Sequence, residues 1–377
     1  MGVARTDNPM QPEHGKVAQA ARNEVRFVTS PAPRDTWASL LDSSPHALAF
    51  QTPAWMDSLC QSGGYEDASR LYDAGKGRQL LLPMARRKGL PRLLAAEASL
   101  PFGWGFGGLL SPGELREGEI GAVLADLGSR AILQTSIRPN PLESAAWEAS
   151  APAGIVRVPR TAHVLDLEGG FQRVWENRFG GTARTAVRKA QRSSLEVVHD
   201  TTGALVPIFY DLYRQSLDRW ANQGQVPAFL TRWRSQWREP QRKFQIVAES
   251  LGGACRIWVA KLHGQAVAAI IVLLQGANAS YWRGAMNKEI AGPTRASDWL
   301  QSLAIEDACR AGCRYYHMGE SGSSVSLAQF KARFGAEAHP YVEYRLERLP
   351  ITRQYDRAVR LGRGLSTLLF QRSSSLG

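Results

Sequence analysis

Between Arg256 and Leu346 the chain leaves itself few folds to choose from. Arg256–Leu262 alternates in character as a strand does, and His263-Gly264 is a tight two-residue hairpin turn. Gln265–Leu274 returns as a continuous apolar strand, and Ala279–Met286 makes a third. A helix then starts near Thr294 or Ser297. Its apolar positions Ala296, Trp299, Leu300, Leu303, Ala304 and Ala308 recur at helical spacing, and Gly312 stops it. Arg314–Met318 is the next strand and Pro340–Leu346 a last one, with a short helix between them. An antiparallel meander followed by helix, strand, helix and strand predicts a mixed α/β domain. The longest apolar run, Ala266–Leu274, is strand-sized, well short of the roughly 20 residues that span a bilayer.

With 377 residues the chain exceeds one comfortable hydrophobic core, so two domains are expected. The first half is more broken. Phe50-Gln51-Thr52-Pro53-Ala54-Trp55 opens a helix with Thr52 as cap and Pro53 in its first turn. Arg78–Ala85 reads as a strand after the Gly75-Lys76-Gly77 turn. Pro101–Gly108 is glycine-rich and aromatic, which points to close backbone packing or an apolar groove rather than a phosphate loop. Residues 1–24 lack the apolar middle of a signal peptide and read as a disordered arm, so a cytoplasmic protein is expected. The tail from Arg353 to Arg372 reads either as a basic amphipathic helix or as a solvated helix face.

The net charge is +12, from 46 Lys and Arg against 34 Asp and Glu, and this favours polyanionic partners such as RNA, DNA, phosphorylated carriers or nucleotides. Arg173, Arg178, Arg184, Arg188, Lys189 and Arg192 form the densest patch. Arg184 and Arg188 share a helix face at i, i+4, a mildly unfavourable spacing that suits either an anion site or an arginine-rich surface helix. A second run, Arg232, Arg234, Arg238, Arg242 and Lys243, is interleaved with Trp233 and Trp237; an ordinary helix stripe accounts for it better than base stacking. Cys60, Cys255, Cys309 and Cys313 show no metal-ligand spacing and read as reduced thiols. No Gly-x-Ser-x-Gly elbow, Walker lysine loop or zinc signature occurs, so no metal ligand is assigned. Arg178-Phe-Gly-Gly-Thr-Ala183 matches a pyrophosphate-turn pattern, but it follows a helical stretch rather than a strand, and the loop after Met286 lacks the motif.

The most informative hexapeptide is Phe330-Lys331-Ala332-Arg333-Phe334-Gly335, after the polar loop Gly319-Glu320-Ser321-Gly322-Ser323-Ser324. Two readings fit. The phenylalanines at i and i+4 can pack a helix on a core while Lys331 faces water. Alternatively, Lys331 is held at the mouth of the sheet, where an ammonium suits a reaction that develops an oxyanion, as acyl transfer does.

Four stretches together resemble the Fem-type (FemABX-like) aminoacyl transferases of the GNAT superfamily. They are Phe50–Trp55, Arg184-Thr-Ala-Val-Arg188-Lys189-Ala190, Ser280-Tyr281-Trp282-Arg283-Gly284-Ala285 and the Phe330–Gly335 hexapeptide. The resemblance implies two tandem GNAT-like acyltransferase domains of α/β type, at 25–160 and 161–336, with residues 337–377 packing back on the first. It implies transfer of an aminoacyl group from charged tRNA to an amine, either a small metabolite or a cell-envelope precursor. No further cofactor is implied. Lys331 would steady the tetrahedral intermediate and Phe330 shape the site. Arg184, Arg188, Lys189, Tyr281, Arg283, Glu320, Ser321, Arg333 and Phe334 would contact substrates. Glu320 and His317 are candidate proton acceptors by position. The long coiled-coil arm of bridge-building Fem enzymes is missing from the sequence. The alternatives are an acyl-CoA-dependent N-acyltransferase on the same fold and a non-catalytic RNA- or envelope-binding protein.

Overall fold

A computed structural model of the chain describes residues 25–116, 118–223, 239–322, 324–350 and Thr352. The expected N-terminal arm, the basic tail, Ser323 and the Arg232–Arg238 run lie outside the described residues. The first third contains strand β1 (Arg26–Thr29), helices α1 (Arg34–Ser43) and α2 (Pro53–Ser62), and strands β2 (Tyr65–Asp67), β3 (Arg70–Asp73), β4 (Gln79–Leu82), β5 (Ala85–Arg87) and β6 (Ala96–Ala98). Helix α3 (Glu119–Ser129), β7 (Gln134–Ile137), α4 (Ser144–Ser150) and the long β8 (Val156–Asp166) follow. Then come α5 (Gly170–Asn177), α6 (Gly181–Gln191), β9 (Leu195–Asp200), α7 (Val206–Gln223) and α8 (Gln241–Leu251). The last part is β10 (Cys255–Leu262), β11 (Gln265–Gln275), β12 (Asn278–Met286), α9 (Lys288–Thr294), α10 (Ala296–Arg310), β13 (Tyr315–Glu320), α11 (Val325–Arg333) and β14 (Glu337–Glu347).

The elements expected in the second half are present within a few residues of their expected ends. The β10–β11 turn holds His263 and Gly264 at φ 51° and 79°, the left-handed pair that matches the twist of a two-residue hairpin. Thr52 caps α2 as expected, its Oγ1 accepting from the Trp55 amide at 3.1 Å. One expected strand is corrected: Arg78–Ala85 divides into β4 and β5 around Pro83, which has no N–H to give a ladder. The break carries the chain from a three-stranded sheet, β1-β3-β4, into an eleven-stranded one.

The large sheet runs β2-β5-β6-β7-β14-β8-β13-β12-β11-β10-β9. Strand β14 joins its two parts, pairing antiparallel with β8 over most of its length and with β7 near its end. On one face of β10–β12 pack α7 and α8 together with Trp37, Phe50 and Trp55 from the first third. The apolar packing therefore does not divide at residue 160. Covering both faces of an apolar strand such as β11 takes elements from both halves of the chain. The opposite face is covered by α5, α6 and α10, and a third core surrounds α3, α4 and the end of β14.

Helix α11 is fixed at its C-terminal end by a close approach. The Gly180 amide donates to the Arg333 carbonyl at 2.7 Å. Gly335 has φ +83°, and a Cβ there would lie 2.5 Å from the Arg178 carbonyl oxygen. Gly335→Ala is therefore expected to destabilise the protein by about 1–3 kcal/mol, as left-handed non-glycine residues do, with the steric clash in addition. A urea unfolding midpoint unchanged from wild type would contradict this packing.

Candidate active site

The parallel pairing of β12 with β13 covers only Asn278–Ser280 against Tyr315–His317. Beyond it, β13 carries Glu320 to its end and the chain turns into α11, capped by the Ser324 hydroxyl. This turn brings Lys331 back over the end of β13. Its side chain is buried, 2 % exposed, and its Nζ donates to the carbonyls of Gly319 and Glu320 at 2.8 Å each. An ammonium has three N–H groups, so two hold the backbone and one remains. Burial pulls its pKa down to about 8 against the attraction of Glu320, and it stays mainly protonated at neutral pH.

Around this ammonium lie groups from several strands. Ser321 Oγ is 3.3 Å from Nδ1 of the buried His163 on β8. Burial, and after it the charges of Lys331 and His339, hold His163 below the ordinary histidine range. Nδ1 of the nearby His317 is buried without a hydrogen-bond partner. The Glu320 carboxylate accepts from Tyr341 Oη on β14, with Arg138 Nη1 at 3.9 Å. Arg138 in turn sits over the exposed ring of Phe102, 5.6 Å from its centroid.

His317, a candidate proton acceptor by position, is fully buried, and its Nε2 is 3.0 Å from Asn278 Oδ1. Burial drives its pKa down to about 3, so it is neutral throughout the working range. Asn278 Nδ2 also reaches the Ala47 carbonyl at 3.1 Å, so this pair stitches the N-terminal segment to the sheet.

The two readings of the Phe330–Gly335 hexapeptide each held in part. Phe334 is buried edge-to-face on Phe179, Phe330 is half-buried against it, and Lys331 nevertheless turns inward. Arg333 pairs with Asp298 of α10 and stacks on Phe330. Glu320, Ser321 and Lys331 come together. The other expected contact residues are engaged elsewhere. Arg184 donates to the Glu176 carbonyl at 2.7 Å and ties α6 to α5, Arg188 lies over Trp175, and Lys189 is exposed. The half-buried ring of Tyr281 lies over Gly284.

Arg283 belongs to a second charged cluster. It donates to the Gly103 carbonyl at 2.7 Å and the Trp282 carbonyl at 2.8 Å, and pairs with Glu239. Lys243, grouped in sequence with a basic run beside a tryptophan helix stripe, is itself buried. It is 3.1 Å from Glu239 Oε1 and 4.1 Å from the Trp104 ring centroid. Burial lowers Lys243 to about 8 despite Glu239, while Arg283 and Lys243 hold Glu239 at about 2. The Pro101–Gly108 loop thus packs closely, as expected, but also lends a carbonyl to two cations.

His163, Arg138 and Tyr341 were not singled out by sequence. Each is an isolated residue on β8, just past β7 or on β14, and only strand pairing brings His163 near Lys331 and Arg138 and Tyr341 to Glu320. Among the described residues no three histidine, cysteine or carboxylate side chains converge as a metal site would need.

Residues 177–332 match the acetyltransferase (GNAT) domain family, a stretch that ends one residue past Lys331. Over 86% of its length the chain has the fold of FemX: the two superpose with a TM-score of 0.63 at 12% identity, covering 97% of the FemX chain. A conserved protein of unknown function from Bacteroides thetaiotaomicron superposes with a TM-score of 0.51 at 12% identity, over 85% and 98% of the two chains. No curated protein matches by sequence. The chain thus shares the FemX fold on mixed α/β sheets, and residues 177–332 within it match the GNAT acetyltransferase domain family.

Proposed function

We propose that the protein transfers an aminoacyl group from charged tRNA to an amine. The observation that carries this reading is the buried Lys331 ammonium, with two N–H groups tied to carbonyls and a third unassigned. The acceptor amine attacks the ester carbonyl carbon; a C–N bond forms and the carbonyl oxygen becomes an oxyanion facing that third N–H. The amine proton passes to His163, whose depressed pKa leaves it neutral and able to accept. The C–O bond to the ribose then breaks, and the departing ribose oxygen takes the proton held by His163, which returns to its neutral form. Glu320, fixed by Tyr341, keeps the ammonium charged and suits contact with the incoming amine. The net charge of +12 and the Fem-type resemblance favour tRNA as donor. The acceptor class is a small amine or a cell-envelope precursor.

A second reading has its own support. The GNAT match and the short β12–β13 pairing favour an acyl-CoA donor, because strand edges that part after Ser280 and His317 leave backbone groups for an extended thioester arm. A transfer assay with radiolabelled aminoacyl-tRNA separates the two. Label is expected to reach an amine acceptor and to be lost after ribonuclease treatment. Transfer from acyl-CoA that ribonuclease leaves intact would replace the first reading by the second.

A further inference from the structure

The end of β14 away from Lys331 carries a surface that acyl transfer does not use. The β5–β6 connection exposes every residue from Arg87 to Leu94. Among them Leu90, Leu93 and Leu94 are 46, 60 and 57 % exposed. Backbone bonds place this loop beside the chain's other exposed leucine at that end: the Leu133 amide donates to the Ala95 carbonyl, and the Arg348 amide to the Leu133 carbonyl, each at 3.1 Å. Leu349, next along, is 60 % exposed.

The charges around these leucines are one-sided. Arg87, Lys88, Arg92 and Arg348 are exposed. The nearby carboxylates are turned to other partners: Glu66 to Arg86 at 2.6 Å, the buried Glu97 to Arg130 at 2.8 Å, and Glu347 to Gln134 at 2.8 Å.

We propose that this end of the molecule docks on an anionic lipid bilayer, the leucines entering the headgroup–acyl boundary and the cations meeting lipid phosphates. Aliphatic tips ringed by basic residues gain both apolar burial and surface attraction there. Nucleic acid would want aromatic stacking, which leucines do not give. A second copy of this chain would bring like charges against one another.

The test is flotation of the full chain with phosphatidylcholine vesicles, with and without phosphatidylglycerol. Binding is expected only to the anionic vesicles, weakening as salt rises. Leu93→Glu/Leu94→Glu should weaken it by about tenfold or more, since two exposed leucines lose their burial. Both positions are solvent-exposed, so the variant keeps its fold. The inference is overturned if the chain ignores anionic vesicles or if the double substitution leaves binding unchanged. It is overturned equally if sedimentation or filter binding shows that these leucines hold a dimer or retain tRNA instead. Vesicle binding requires no acyl transfer, so loss of the proposed reaction and loss of this surface are read separately.

Discussion

Lys331→Met is expected to slow acyl transfer by about 10²–10³-fold, on the order of 2.7–4 kcal/mol of barrier, while leaving a folded protein. The barrier rises because the donor that would face the oxyanion is removed. The fold survives because methionine fills similar volume and removes a buried charge, which offsets the donors lost by the Gly319 and Glu320 carbonyls. Lys331→Arg should not restore the rate, since a planar guanidinium cannot reproduce a point charge held by two converging carbonyls. The pH dependence follows from burial. The ammonium loses its proton near pH 8, so the wild-type rate should fall on the basic side around that value. Stability moves oppositely. The unfolded chain holds this proton to about 10.5 and the folded chain releases it near 8. Between those values the unfolded state binds more protons, so stability grows with pH, and the methionine variant lacks that contribution. Single-turnover rates and denaturation curves across pH measure both. A variant that transfers at the wild-type rate removes Lys331 from the chemistry.

The largest stability loss is expected from Glu239→Gln. Glu239 faces Lys243 and Arg283 and accepts from Tyr213, with Trp104 and Trp282 around the pair. Removing its charge leaves two cations in a largely buried site. Breaking a buried pair from one side costs about 3–5 kcal/mol, because the remaining charge is uncompensated. Lys243→Met in the Glu239→Gln background should recover part of the loss, since one cation is then enough for the Gly103 carbonyl. Urea unfolding of the single and double variants measures it. Equal midpoints for wild type and Glu239→Gln would mean that the pair contributes nothing, and that the Gly103 loop is held by its aromatic residues alone.

How far the sequence could be read differs between the halves for a physical reason. The β10–β11–β12 meander and α10 are built from contacts near in sequence, so alternation, helical spacing and a two-residue turn specify them. Strands β1 to β7 are three or four residues long, too short for periodicity to mark, and the break at Pro83 separates two sheets. Charge was the least legible property. Lys243 sits in a basic run yet is buried, and Arg283 lies in a family-like stretch yet clamps a loop. A residue letter reports its ionisation but not its partner: Glu239 is only four residues from Lys243, but Arg283, Gly103 and Tyr213 join that pair only through folding.

The amino-acid order alone determined the mixed α/β character, the hairpin, the capped helix at Thr52 and the weight placed on the Phe330-Lys331 pair, because each depends on neighbours within a few residues. Tertiary structure decided that Lys331 turns inward onto two carbonyls, that His163 lies near enough to feel its charge while Tyr341 holds Glu320, and that one core draws on both halves. Those outcomes depend on strand register across β8, β13 and β14, where a shift of one residue would turn every side chain to the other face.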